Sequence, residues 1–175
     1  NQIALAFDAL GLVVGTAVLG KAGQLTEDTL TTFQADLTQP QIDSFFATPR
    51  GPGSTTATLL DKATTRIIYD VDRFRHLGEP PFAATLARET HVNETLGNPT
   101  IQVSFSYSDG FGREIQKKIQ AERGPLIEGG PDVEPRWVGS GWTIFNNKGK
   151  PIKQYEPFFD DTHTFKIKLE GVTST

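Results

Sequence analysis

The chain has 175 residues, 37% of them hydrophobic and 22% charged, with a net charge of −4 and no cysteine. Such a chain is long enough to bury a sizeable core and too apolar to remain disordered. The composition excludes disulfides, thiol catalysis and cysteine-ligated metals; the lack of a long basic run argues against a nucleic-acid partner, and the lack of an apolar run of about 18 residues argues against a membrane-spanning helix.

In chain order, Ile3, Leu5 and Phe7 alternate with smaller residues, the period-two pattern of a strand, and Leu12 to Leu19 returns almost continuously apolar. Residues 26–47 change character and predict a small helical insert. Thr26 caps a first short helix carrying Glu27, Asp28, Leu30, Phe33 and Leu37, and Thr38 with Pro40 starts a second whose apolar stripe is Ile42, Phe45 and Phe46. Arg50 to Ser54 is a loop, Thr64 to Tyr69 a strand, Arg73 to Pro81 an extended loop, Phe82 to His91 a weakly alternating strand and Asn93 to Pro99 a loop.

Ile101 to Ala121 reads as a hairpin. Ile101, Val103, Phe105 and Tyr107 share one face of the first arm, and Ile115, Ile119 and Ala121 are expected to share the apolar face of the second. Glu114, Gln116, Lys118 and Gln120 are then expected outside, with Lys117 snorkelling from the apolar side. Gly124 to Pro135 is rich in breakers and predicts a mobile surface loop, about 124–135. Trp137 to Tyr155 predicts a last hairpin, Phe158, Phe159 and Phe165 a plug against neighbouring structure, and Thr164 to Leu169 a final strand before a frayed tail. The chain starts inside a strand pattern without a signal peptide or initiator methionine, so residues 1–175 are expected to be a single fragment of a longer protein.

One turn pattern recurs: an aromatic, then Asp or Asn, two residues, and Gly. It occurs at Phe7-Asp8-Ala9-Leu10-Gly11 and Phe145-Asn146-Asn147-Lys148-Gly149, with Asp109-Gly110-Phe111-Gly112 at the central tip and a copy at Asp70 that lacks the glycine. Asp and Asn suit the first turn position because their side chains accept backbone N–H groups, and the glycine supplies positive φ. Asp8, Gly11, Asp70, Asp109, Gly112, Asn146 and Gly149 are therefore read as structural turn residues. At the central tip the aromatic, Tyr107, stands one residue further back, so either the turn is longer or the strand faces the other way. Repetition of such units marks a repeat architecture. The expected fold is mainly β, successive antiparallel hairpins forming a curved sheet with a helical insert around 26–47.

The units resemble YD repeats, also called RHS repeats. SFSYSDGFGREIQKKIQAE, PRWVGSGWTIFNNKGKPIKQYEPFF and ATTRIIYDVDRFRHLGEPPFAATLARETHV look like the middle region of the B component of bacterial insecticidal Tc toxin complexes, a resemblance running from the first turn to Phe165. It implies a structural, virulence-related role: part of a β-sheet shell that encloses a toxic polypeptide and helps deliver it. The implied partners are neighbouring repeats of the same full-length chain, other toxin complex components and the toxic polypeptide cargo. The implied location is secreted or extracellular, within a toxin complex. It implies no catalytic residue in this region.

Against that stand two other functions. Trp137, Trp142, Tyr155, Phe158 and Phe159 could line a sugar-binding platform in a carbohydrate-binding β-module, or form an interface to adjoining repeats. A glycosidase would need two carboxylates facing one cleft, roughly 5–9.5 Å apart. The aspartates at Asp8, Asp70, Asp72 and Asp109 are explained by turn chemistry more simply than by calcium binding, and Asp160-Asp161 beside His163 lacks a nucleophile signature. His76, His91 and His163 show no metal-ligand spacing, and Gly139-Ser140-Gly141 leads into a strand where a nucleophile elbow leads into a helix. No enzymatic activity, cofactor or metal is expected, and self-association through unpaired strand edges is.

Overall fold

The computed structural model describes residues 2–19, 28–89, 100–168 and 172–173. Hairpins dominate. β1 (Gln2–Phe7), β2 (Val13–Leu19), β3 (Thr65–Asp70), β4 (Phe82–Arg88), β5 (Ile101–Ser108), β6 (Glu114–Ala121), β9 (Arg136–Gly139) and β12 (Phe158–Asp160) make one open antiparallel sheet in the order β1-β2-β3-β4-β5-β6-β9-β12. A two-stranded sheet joins β7 (Gly124–Pro125) to β8 (Asp132–Val133), and a three-stranded sheet has the order β10 (Thr143–Phe145), β11 (Pro151–Tyr155), β13 (Val172–Thr173). The fold is mainly β, as the hairpin patterning predicts. The chain divides into two compact units: Asn1–Tyr69 with Ala84–Val103, and Asp70–Ala83 with Ser104–Thr175.

In the first unit, β2 and β3 bury Val14, Ala17, Arg66 and Ile68 beneath α1 (Gln39–Ala47) and α2 (Thr56–Leu60), whose Ile42, Phe45, Leu59 and Leu60 complete the core. α1 starts where the sequence signals it. The Gln41 side chain folds back to accept the Thr38 N–H at 2.9 Å, Pro40 sits in the first turn, and Ile42 and Phe45 are buried. The first predicted helix does not form over residues 28–38. There Asp28 is buried and accepts the Thr64 hydroxyl, the Thr29 hydroxyl accepts the Thr31 N–H, and the Gln34 carbonyl accepts the Arg66 guanidinium, so tertiary hydrogen bonds take over from the helical ladder. Gly15 leaves room for the tip of the Phe33 ring, where a Cβ would stand 2.5 Å from Phe33 Cζ. Burial pulls the Arg66 pKa down to about 10, while its Nη1 donates to the Leu59 carbonyl at 2.6 Å.

In the second unit, Arg73–Leu77 forms a helix, α3, where the sequence reading has an extended loop. One helical turn is too short to show a periodicity, and the stop signal is Gly78, left-handed at φ +69°. Trp137 to Tyr155 is not one hairpin. β9 joins the large sheet, and the hairpin proper is β10–β11. Residues 164–168 form no strand, for a reason that lies in the side chain of Gln116. The loop of 124–135 contains the short β7–β8 pair. The loop expected at Asn93 to Pro99 falls outside the described residues.

Candidate functional site

Three hairpin tips share one hydrogen-bond set. At the first, Asp8 Oδ1 accepts the N–H groups of Leu10 and Leu12 at 2.9 and 2.8 Å, while the Asp8 carbonyl accepts the Gly11 N–H at 3.0 Å. At the second, Asp109 Oδ1 accepts from Phe111 and Arg113 at 2.9 and 3.0 Å, and its carbonyl accepts the Gly112 N–H at 3.0 Å. At the third, Asn146 Oδ1 accepts from Lys148 and Lys150 at 2.9 and 3.0 Å, and its carbonyl accepts the Gly149 N–H at 3.0 Å. The glycines Gly11, Gly112 and Gly149 have φ of +78°, +75° and +76°. An amide serves as well as a carboxylate, so the tip needs an acceptor oxygen and no charge. That favours turn chemistry over ion binding.

Asp70 is a correction to the turn set. It is the buried last residue of β3 and meets Arg73 Nη1 at 3.3 Å, and the chain continues into α3 because Arg73 stands where the other tips have glycine. The central tip is no longer than the others. Tyr107 is displaced by one residue and therefore turns to the opposite face, 1% exposed where Phe7 is 53% exposed.

The covered face of the second unit carries a polar centre that inverts the expected faces of β6. Gln116 and Lys118 are buried, Ile119 and Lys117 are exposed. Register explains it. Tyr107 stands opposite Gln116 and Phe105 opposite Lys118, so these polar residues share the face of the aromatic row. Lys118 Nζ donates to Asp160 Oδ2 at 2.6 Å and to the Thr162 carbonyl at 3.1 Å, and lies 4.7 Å from the centre of the Phe158 ring. Lys166 Nζ holds the other oxygen of Asp160 at 3.0 Å. The Gln116 amide donates to the Lys166 carbonyl at 2.9 Å and accepts the Lys166 N–H at 3.0 Å. Both backbone groups of Lys166 are thus satisfied by one side chain, and residues 164–168 lie against the sheet without joining it.

Aromatic rings close this centre. The His163 ring lies 4.8 Å from Phe105 and 5.5 Å from Trp137, and the Tyr107 hydroxyl donates to the His163 carbonyl at 2.8 Å. Burial pushes the Asp160 carboxyl up, but Lys118 and Lys166 outweigh it and its pKa falls below the ordinary value. Burial also pulls Lys118 down against the attraction of Asp160, and raises the Tyr107 phenol. Every charged oxygen and ammonium in the centre faces another group of the chain. That is the chemistry of a specified core.

The five aromatics singled out from sequence scatter. Trp137 is fully buried, Tyr155 and Phe158 are buried, and Trp142 stacks on Tyr155 with ring centres 5.9 Å apart and planes at 9°. Phe159 is 41% exposed on the opposite face, under the Arg136 guanidinium at 3.5 Å. They form no exposed coplanar row. The sequence reading missed Gln116, Lys118, Tyr107 and Lys166. Only the Asp160 and His163 neighbourhood carried a signal.

No family model and no curated protein sequence matches the chain. Solved structures do. The crystal structure of TcdB2-TccC3 superposes over 93% of this chain at 22% identity with a TM-score of 0.64, and the form without its hypervariable C-terminal region does so over 93% at 17% identity and 0.65. The fold is that of part of a Tc toxin component. The Photorhabdus luminescens Tc holotoxin pore matches over 90% of the chain at 18% identity and a TM-score of 0.58. This chain spans 8% of the TcdB2-TccC3 chain and 10% of the holotoxin chain. Ile3, Leu5 and Phe7 are 65%, 51% and 53% exposed on one face, and among the described residues β1 pairs with β2 alone.

Proposed function

We propose that this chain is a structural segment of an insecticidal toxin complex component, one stretch of a β-sheet shell that encloses and helps deliver a toxic polypeptide. The observation that carries the proposal is the fold likeness to Tc toxin structures over nine-tenths of the chain. The chemistry agrees with it. On the covered face Lys118 pairs with Asp160 and Gln116 with the Lys166 backbone, and the tips are built from acceptor geometry. The segment contributes wall and performs no catalysis. Its partners are adjoining repeats of the longer protein and other toxin complex components, its cargo is a polypeptide, and it works outside the producing cell. A sugar-binding module is disfavoured because Trp137, Tyr155 and Phe158 are buried and Trp142 is stacked on Tyr155.

The test uses the full-length protein that carries this sequence, co-expressed with its polypeptide cargo. The cargo resists added protease in the unaltered protein and becomes sensitive when Trp137→Asp breaches the wall. A cargo digested equally in both, or a full-length protein that encloses no polypeptide, sinks the shell proposal.

A further inference from the structure

The three matched tips differ in what becomes of the charge. At the central tip Arg113 takes the second oxygen of Asp109, with Nε at 2.7 Å and Nη2 at 2.6 Å, and its guanidinium lies over the Phe111 and Phe145 rings at 5.1 and 4.6 Å. At the third tip Asn146 carries no charge. At the first tip Leu12 stands where Arg113 stands at the second, and Asp8 Oδ2 takes no hydrogen bond among the described residues. The turn uses only the acceptor Oδ1, so the charge of Asp8 is surplus to it.

Asp8 lines a cleft of about 190 Å³ at the tip end of the β1–β2 hairpin, opposite to Gln2 and Leu19. Buried Val14, Ile42 and Ile68 give the cleft an apolar wall, and Asp36 and Tyr69 line it too. Asp36 Oδ1 accepts the Ala9 N–H at 2.8 Å, which ties this second carboxylate to the tip, and its other oxygen also has no hydrogen bond among the described residues. Burial raises the Tyr69 phenol and the Asp8 carboxylate adds to the rise, so the charge is felt at Tyr69. Among the described lining residues there is no lysine, arginine or histidine.

We infer that this cleft is a binding site for an alkylguanidinium group. The central tip supplies the precedent, a guanidinium on the second oxygen of the tip aspartate and against an aromatic ring. In the cleft the planar fork of the ligand meets Asp8 and Asp36, Tyr69 offers it a ring, and the alkyl stem lies along Val14, Ile42 and Ile68. Two neighbouring carboxylates without a cation repel each other, and a guanidinium relieves that repulsion. A primary ammonium is a compact, strongly hydrated point charge and suits two separated acceptors less well. The volume takes one such group with a short alkyl chain and excludes a drug-sized ligand. The same group comes as a free small cation or as an arginine side chain of a polypeptide. The site does not rest on the shell proposal.

Titration of the isotope-labelled chain with butylguanidinium, followed by amide chemical shifts, tests it. Saturable shifts should be confined to residues 8–10, 35–37 and 67–69, with a dissociation constant in the millimolar range that so small a ligand allows. Butylurea, the neutral isostere, should bind roughly tenfold more weakly or not at all. Asp8→Asn keeps the acceptor that Asn146 shows to be sufficient at a tip. It should leave the melting temperature unchanged and weaken butylguanidinium roughly tenfold. Leu12→Arg puts a guanidinium where the central tip has one, and should abolish binding of the added ion. A blocked Gly-Arg-Gly tripeptide that shifts the same amides assigns the site to a polypeptide's arginine, and one that does not assigns it to a free small cation; the guanidinium site stands in both cases. Butylguanidinium shifts that never saturate, equal binding of butylurea, or binding unaltered in both variants overturns the inference.

Discussion

The hairpins β1–β2 and β5–β6 begin from the same tip and end in opposite circumstances. Asp8 and Asp109 gather the same N–H groups, and Gly11 and Gly112 adopt the same left-handed φ. Yet β1 leaves Ile3, Leu5 and Phe7 in the open, while β6 buries Gln116 and Lys118 and exposes Ile119. Hydropathy misreads the faces of β6, where the glutamine and the lysine go inside. A tip is closed by groups within five residues, so its geometry is local. The face a strand buries is decided by whatever later chain comes to lie on it, and for β6 that is the segment holding Asp160, Thr162 and Lys166.

The contrast is broken hardest at Lys118. Lys118→Ala leaves buried Asp160 with the half-exposed Lys166 ammonium and the Asp161 N–H as donors and should cost about 3 kcal/mol in urea unfolding, whereas Leu5→Ala should stay within about 0.5 kcal/mol. If the leucine costs more than the lysine, the polar centre is not what holds the second unit. The tips come next. Gly112→Val and Gly149→Val should each lose more than about 1 kcal/mol because a β-branched residue resists positive φ, and Gly110→Val, at a position without that constraint, should lose far less. Equal losses at Gly110 and Gly112 would remove conformation as the cause.

Acid sharpens the comparison further. The folded pKa of Asp160 lies below its ordinary 3.8, so its contribution is present above that pH and is lost as pH falls from about 4 through the depressed value. Melting temperature should drop over that window, and Asp160→Asn should shrink the drop while lowering stability at neutral pH. The smallest expected effect is none at all. Dialysis against chelator should leave the melting temperature unchanged, and a fall of several degrees would mean that the tip aspartates hold an ion.

Much of the fold is readable in the sequence because it is written locally. Alternation over Ile101 to Tyr107 marks a strand, Thr38 and Pro40 mark the start of α1, and the hairpin succession marks a mainly β sheet. What escapes is non-local. Gln116 substitutes for a strand neighbour at Lys166, fifty residues away, so the alternating residues 164–168 look like a strand and are not one. α3 escapes for the opposite reason, being a single turn between Asp72 and Gly78 with too few residues to show a period. The aromatic set fails as a platform because ring type says nothing about the face on which each ring lands.

Trp137 and Trp142 are the chain's two tryptophans, and both fall in the second compact unit. Tryptophan emission is therefore a one-unit optical signal. The buried indole of Trp137 should emit to the blue and shift to the red when the polar centre opens, while the β1–β2 hairpin remains dark at that wavelength. Circular dichroism, by contrast, sees the backbone of both units. Following the two signals in one denaturant series separates the melting of the units without a label: coincident curves describe one cooperative body, and an emission change displaced from the dichroic one describes two.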